Sequence, residues 1–124
     1  DQTELMVFQL RRADGSVDAF SSGTLIAVDS ATRTLGPADF TITPAGEWRS
    51  PRSGGIYPAA WTVAVPSAEL TLEVTPLLAD QEMDISYRYW EGAVRVEGVR
   101  GDLAVSGYGY VELTGYAQSM QGEF

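Results

Sequence analysis

The chain has 124 residues and a formal net charge of -9, with eight basic residues against 17 acidic ones. Every basic residue is Arg, and there is no His, Cys or Lys. These absences exclude Ser-His-Asp and Cys-His nucleophiles, a Lys Schiff base and a zinc site built on His or Cys. The acidic balance argues against nucleic acid and anionic lipid as partners, since both need a basic face.

With 44% hydrophobic and 10% aromatic residues, the composition is that of one globular domain over residues 1–124. No apolar run approaches the roughly 20 residues of a membrane-spanning helix. A start at Asp1 rather than Met is expected of a processed or trimmed protein.

In chain order the pattern is strand after strand. Successive side chains of a strand point to opposite faces, so apolar residues alternate. Glu4 to Arg11 places Met6, Phe8 and Leu10 on one face, and Asp14-Gly15 supplies a tight turn after it. Ser22 to Val28 and Phe40 to Thr43 are further strands. Pro44 to Gly55 reads as the longest connection. Tyr57 to Val65 alternates Tyr57, Ala59, Trp61, Val63 and Val65, and Pro66 stops it. Glu69 to Thr75 alternates Leu70, Leu72 and Val74 with polar residues, and Pro76 ends it. Pro76 to Met83 is the best short helical candidate.

Asp84 to Glu97 reads as one long strand. Its apolar phase flips near Gly92, the pattern of a bulge or bend. Leu103 to Tyr116 closes the chain, with glycines at 107, 109 and 115. The fold class is therefore all-β: a meander of about eight strands in an antiparallel barrel or strongly curved sheet.

Four clusters carry polar or aromatic chemistry. Asp80-Gln81-Glu82-Met83-Asp84 lacks the Gly and ligand spacing of a calcium loop, so a solvated strand cap or a salt bridge to Arg competes with a metal; no metal site is assigned. In Tyr87-Arg88-Tyr89-Trp90-Glu91 the two tyrosines share one face, and Arg88 and Trp90 the other. Large, partly polar faces suit a ligand-lined barrel or the seat of a partner domain. In Tyr108 to Tyr116, Tyr108, Tyr110 and Glu112 share one face, while Val111 and Leu113 share the other. If Val111 and Leu113 point into a core, Tyr110 and Glu112 face solvent or another domain. In a hollow barrel they line it, and a carboxyl in an apolar cavity is a candidate general acid; pairing of Glu112 with Arg88 or Arg95 is the competing reading. Trp48 to Gly55 places Arg beside an aromatic ring, and Arg52 is expected to pair internally or to meet a ligand.

The order of FQLRRADGS (8–16), FSSGTL (20–25), WRSPRSG (48–54), YPAAW (57–61), DQEMD (80–84), YWEGAVRV (89–96) and GYGYVELTGY (107–116) resembles the AttH-like proteins. These include carotenoid 1,2-hydratases (hydroxyneurosporene synthases) and predicted secreted hydrolases. The resemblance implies a lipocalin-like β-barrel, the C-terminal half of a two-barrel protein. The family's His-bearing segment, of the form D-H-E-W, lies upstream of the region seen here. It also implies a periplasmic or secreted bacterial protein and chemistry that needs no cofactor. The expected ligand is a hydrophobic small molecule, isoprenoid or polyketide-like. The expected partner is an N-terminal lipocalin-like domain or a second chain.

On this reading Trp61, Tyr87, Tyr89, Trp90, Tyr110 and Arg52 are candidate ligand contacts. An enzymatic alternative makes Glu112 or Glu91 the proton donor of a hydratase or cyclase, with Tyr110, Tyr89 or Trp90 shaping the cation site. A third alternative is a purely structural domain packed on its partner barrel.

Overall fold

The computed structural model describes residues 2–10, 14, 16–19, 21–84 and 88–114. These carry nine strands: β1 (Glu4–Phe8), β2 (Ser22–Ile26), β3 (Thr32–Leu35), β4 (Thr41–Arg49), β5 (Ile56–Val65), β6 (Leu70–Pro76), β7 (Glu82–Asp84), β8 (Arg88–Arg100) and β9 (Leu103–Thr114). A single 3₁₀ turn, Pro66–Ala68, separates β5 from β6. It ends on Glu69 in the left-handed region, with φ of 53°.

Among the described residues the strand ladders are antiparallel and fall into two sheets. The smaller sheet runs β1-β2-β3. In the larger, β4, β5, β6 and β8 follow one another. β8 organises it: β6 pairs with its second half, β7 with its start, and β9 with its other edge.

The core follows from alternation. Tyr57, Trp61, Val63 and Val65 of β5 all turn inward, as their period of two requires. Tyr57, Trp61, Val63, Val74, Trp90 and Val94 form one buried cluster. Leu35, Phe40, Val65 and Leu70 form a second, at the end of the larger sheet where the chain arrives from the smaller one. Leu5 and Val7 of β1 pack on both clusters, so the smaller sheet covers the inner face of the larger. Each fully buried aliphatic or aromatic side chain stabilises the fold by about 1.5–3 kcal/mol.

Several expectations change. The inward face of β1 is Leu5 and Val7, while Met6, Phe8 and Leu10 are exposed. The run is apolar on both faces, so alternation alone did not choose between them. Thr32–Leu35 forms β3, although only Leu35 of it is buried and no apolar alternation marks it. Pro44 to Arg49 continues β4 instead of opening a loop. β4 ends the strand order of its sheet, where a proline costs no interior ladder bond. Gly46, with φ of 68°, interrupts the ladder without shifting the register on either side.

Pro76 to Met83 is not helical: β6 ends at Pro76 and β7 begins at Glu82. Asp84 to Glu97 is not one strand either, because β7 folds back on β8, pairing Glu82 with Trp90 and Asp84 with Arg88. Near Gly92 the β8–β9 register is unbroken, so there is no bulge in that ladder. The irregularity lies on the other edge, where the partner changes from β7 to β6. There the Gln81 side chain stands in for a peptide group. Its Nε2 donates to Leu78 O and Ala93 O, and its Oε1 accepts from Ala93 N–H at 3.1 Å. A Cβ on Gly92 would lie 2.0 Å from Gln81 Oε1, so glycine makes room for this bridge.

Candidate functional site

Two features of the inner face stand out. The first is an open cleft of about 1070 Å³ between β1 and the larger sheet. Its inner wall carries Ile42, Trp61, Val63, Leu72, Val94 and Val111, an apolar surface broken only at the edges. Residues 3–10 and 105–113 line it without a break, so β1 and β9 form its two rims. Arg100 closes one corner, donating from NH1 to Thr3 Oγ1 at 2.9 Å.

The second feature is a buried carboxylate. The Glu82 side chain is 1% exposed and faces inward beside Trp90. Ser50 Oγ donates to its Oε1 at 2.6 Å. Ser53 Oγ and Tyr57 OH donate to its Oε2 at 2.6 and 2.7 Å. Arg52 lies 3.8 Å from Oε1, donates to the Glu82 backbone carbonyl at 3.0 Å and pairs with Asp80 at 2.6 Å. Burial pushes the Glu82 carboxyl up, yet the hydrogen bonds from Ser50, Ser53 and Tyr57 and the Arg52 charge outweigh it and hold the group below its ordinary value. Glu82 is therefore ionised and acts as an acceptor. It pins the turn between β4 and β5 to β7, and through Tyr57, which packs on Trp48 at 5.8 Å, it sets the aromatic end of the core.

Sequence reading marked the Asp80-Gln81-Glu82-Met83-Asp84 cluster and a salt bridge to Arg as one of its readings, which Arg52 supplies, but did not pick out Glu82 as the buried member. Its donors come from residues 50–57, and nothing local to Asp80-Gln81-Glu82 marks it as buried. The available signal was the clustering of Ser50, Arg52, Ser53 and Tyr57 after the β4 run.

The predicted residues divide between faces. Trp61 lines the cleft, and Trp90 is buried against it with ring centroids 6.0 Å apart. Trp90 Nε1 donates to Ala79 O at 2.8 Å. Arg52 sits in the Glu82 network. Val111 and Leu113 pack on the core, so Tyr110 and Glu112 project from the outer face of β9 and border the cleft only along its rim. Glu91 stands directly opposite Glu112 in the β8–β9 ladder, and Tyr89 opposite Thr114 on that same face. Arg95 pairs with Glu97 at 2.7 Å, not with Glu112. Tyr87 lies outside the described residues.

Among the described residues no group of three or more His, Cys, Asp or Glu is placed to hold a metal ion. No helix among them is long and apolar enough to cross a membrane.

Two antiparallel sheets with an apolar cleft between them make this an all-β protein. The sequence model of the AttH-like family matches residues 1–116, and the chain belongs to that family. Among solved structures, it is similar to a candidate AttH of Nitrosomonas europaea, with 36% identity and a TM-score of 0.79 over 92% of this chain and 35% of the other. It is also similar in fold to the kievitone hydratase of Nectria haematococca, with 19% identity and a TM-score of 0.74 over 94% of this chain and 36% of the other. The chain thus spans about a third of the length of each. No curated protein sequence matches it.

Proposed function

We propose that the chain is a lipocalin-like domain that encloses a hydrophobic small molecule, acting beside a further domain of an AttH-like protein. The observation that carries this reading is the cleft of about 1070 Å³ walled by Trp61, Val63, Leu72, Val94 and Val111. A volume of this order at the mouth of an antiparallel β structure is typical of small-molecule sites. An apolar wall with few polar groups selects a ligand by shape and hydrophobicity; an isoprenoid or polyketide-like molecule fits that description. Closure of the two sheets into one barrel, with β1 and β9 as the meeting rims, belongs to the same reading.

Native mass spectrometry of protein purified from cell extract tests it. A co-purified apolar molecule that Val111→Trp displaces is the expected result. An empty protein that also fails to take up a neutral apolar dye rejects the reading.

A second reading is enzymatic and rests on the fold shared with a hydratase. It makes the domain part of a cofactor-free hydratase or cyclase, with Glu112 or Glu91 protonating an alkene at the β9 rim. Glu82 does not suit that role, because its hydrogen bonds favour the ionised form. Glu112→Gln in the full-length protein should then cut turnover severely; unchanged turnover rejects the assignment.

A further inference from the structure

The outer face of the β6–β8–β9 region lies outside the core and meets the cleft only along the β9 rim, at Tyr108, Tyr110 and Glu112. Its composition follows from the register. Glu73 stands opposite Glu97, Glu97 opposite Ser106, Arg95 opposite Tyr108, Ala93 opposite Tyr110, and Glu91 opposite Glu112. Four carboxylates thus share this face with the Arg95 guanidinium, and Glu97 already neutralises Arg95 at 2.7 Å. Glu73 accepts from Thr62 Oγ1 at 2.9 Å, a bond that leaves its charge uncompensated.

Like charges directly opposite each other on a sheet destabilise it. Glu91 and Glu112 nevertheless face each other with no ion pair among the described residues. Beside them stand the two most exposed aromatic side chains among those residues, Tyr108 at 77% and Tyr110 at 64%. They lie two positions apart on β9, so their rings project from one face roughly 7 Å apart along the strand. The Glu91 carboxylate is close enough to Tyr110 to help raise the phenol's pKa, after partial desolvation.

Exposed aromatic rings beside carboxylates without an ion pair are complementary to a guanidinium or ammonium group. Carboxylates pair with it, and the ring faces attract it by cation–π interaction. The face is open and sheet-like, not a pocket, which favours a macromolecular partner over a small ion. The chain's net charge of -9 steers a basic partner toward it and repels a second copy.

We infer that the face formed by Glu91, Tyr108, Tyr110 and Glu112 docks an Arg- or Lys-rich polypeptide segment. The proposal is independent of ligand binding in the cleft.

The test is a titration of the chain with hexa-arginine peptide, read by amide chemical shifts and binding isotherms. Shifts should concentrate on residues 91–95 and 107–112. Tyr108→Ser with Tyr110→Ser keeps the charge and should weaken binding about tenfold, as the loss of two exposed cation–π contacts implies. Glu91→Gln with Glu112→Gln should weaken it at least as much. A matched removal of charge elsewhere, Glu47→Gln with Asp102→Asn, should change it less than about twofold. Equal weakening by both charge-removing pairs, or no effect of the tyrosine pair, reduces the effect to net charge and overturns the proposal. Shifts on this face with maltohexaose but not with hexa-arginine would assign it to neutral carbohydrate and also overturn it. Circular dichroism of each variant keeps loss of fold apart from loss of binding.

Discussion

Tyr57 donates its phenolic proton to Glu82 at 2.7 Å, joining the start of β5 to the three-residue strand β7 across 25 positions of sequence. Both groups are buried, and the same carboxylate receives Ser50 and Ser53. A short strand has little ladder of its own, so β7 is held largely by this carboxylate. Glu82→Gln keeps the shape but loses the charge. It should destabilise the fold by about 2–3 kcal/mol, the scale of hydrogen bonds to a buried charged group. Denaturant unfolding measures this, and a loss below about 0.5 kcal/mol would show that the network is incidental.

The same carboxylate makes stability depend on pH. The Glu82 group binds its proton less readily when folded than at its ordinary value of 4.5. Its contribution is therefore complete above that value. It is lost as pH falls through the lower folded value, because the unfolded chain takes up the proton first. Wild type should lose stability across this acid range more steeply than Glu82→Gln. Parallel pH–stability curves would remove Glu82 as the cause.

Tyr110 tests the electrostatics of the outer face. Partial desolvation, the charge and hydrogen bond of Glu91 and the charge of Glu112 raise its pKa above 10.0. Glu91→Gln should bring ionisation of Tyr110 back toward the ordinary value, with a smaller effect from Glu112→Gln. Ultraviolet difference titration against a Tyr110→Phe reference reads the shift. An unchanged titration would show that Tyr110 does not sense Glu91.

Two glycines of the β8–β9 hairpin separate close packing from open strand. A Cβ on Gly98 would lie 2.0 Å from the Thr71 carbonyl oxygen, a backbone atom of the neighbouring strand. Gly107 has nothing within 4 Å. Gly98→Ala should cost about 3 kcal/mol or more through backbone displacement. Gly107→Ala should be tolerated within about 0.5 kcal/mol. Thermal unfolding of the two variants compares them directly; equal melting temperatures would contradict the packing described for β6 against β8.

Where one face of a strand carries the large apolar residues and the other small or polar ones, the sequence was enough. Tyr57 to Val65 and Leu70 to Val74 show this, and their alternation fixes which face is buried. β1 failed that test because Leu5, Met6, Val7 and Phe8 are all apolar, and only the packing of the two sheets decides between them. β3 was invisible because three of its four residues are exposed and polar, so its existence depends on pairing with β2. Pro44 and Gly46 disguised β4, whose place at the end of the strand order tolerates both. Of the site, Trp61 was legible as an inward aromatic. Glu82 was not, because its burial is made by residues 50–57, which reach it only in the folded chain.

The central claim is that the cleft holds an apolar molecule. Titration of the chain with Nile red, a neutral apolar dye, measures this most directly, with Val111→Trp as the cleft-filling variant and Thr71→Ser, exposed on β6 and outside the cleft lining, as an outer-face control. The account predicts saturable binding by wild type and the control, weakened about tenfold or more in Val111→Trp because the side chain occupies the dye's space. Equal binding by all three proteins, or none by folded wild type, would contradict it.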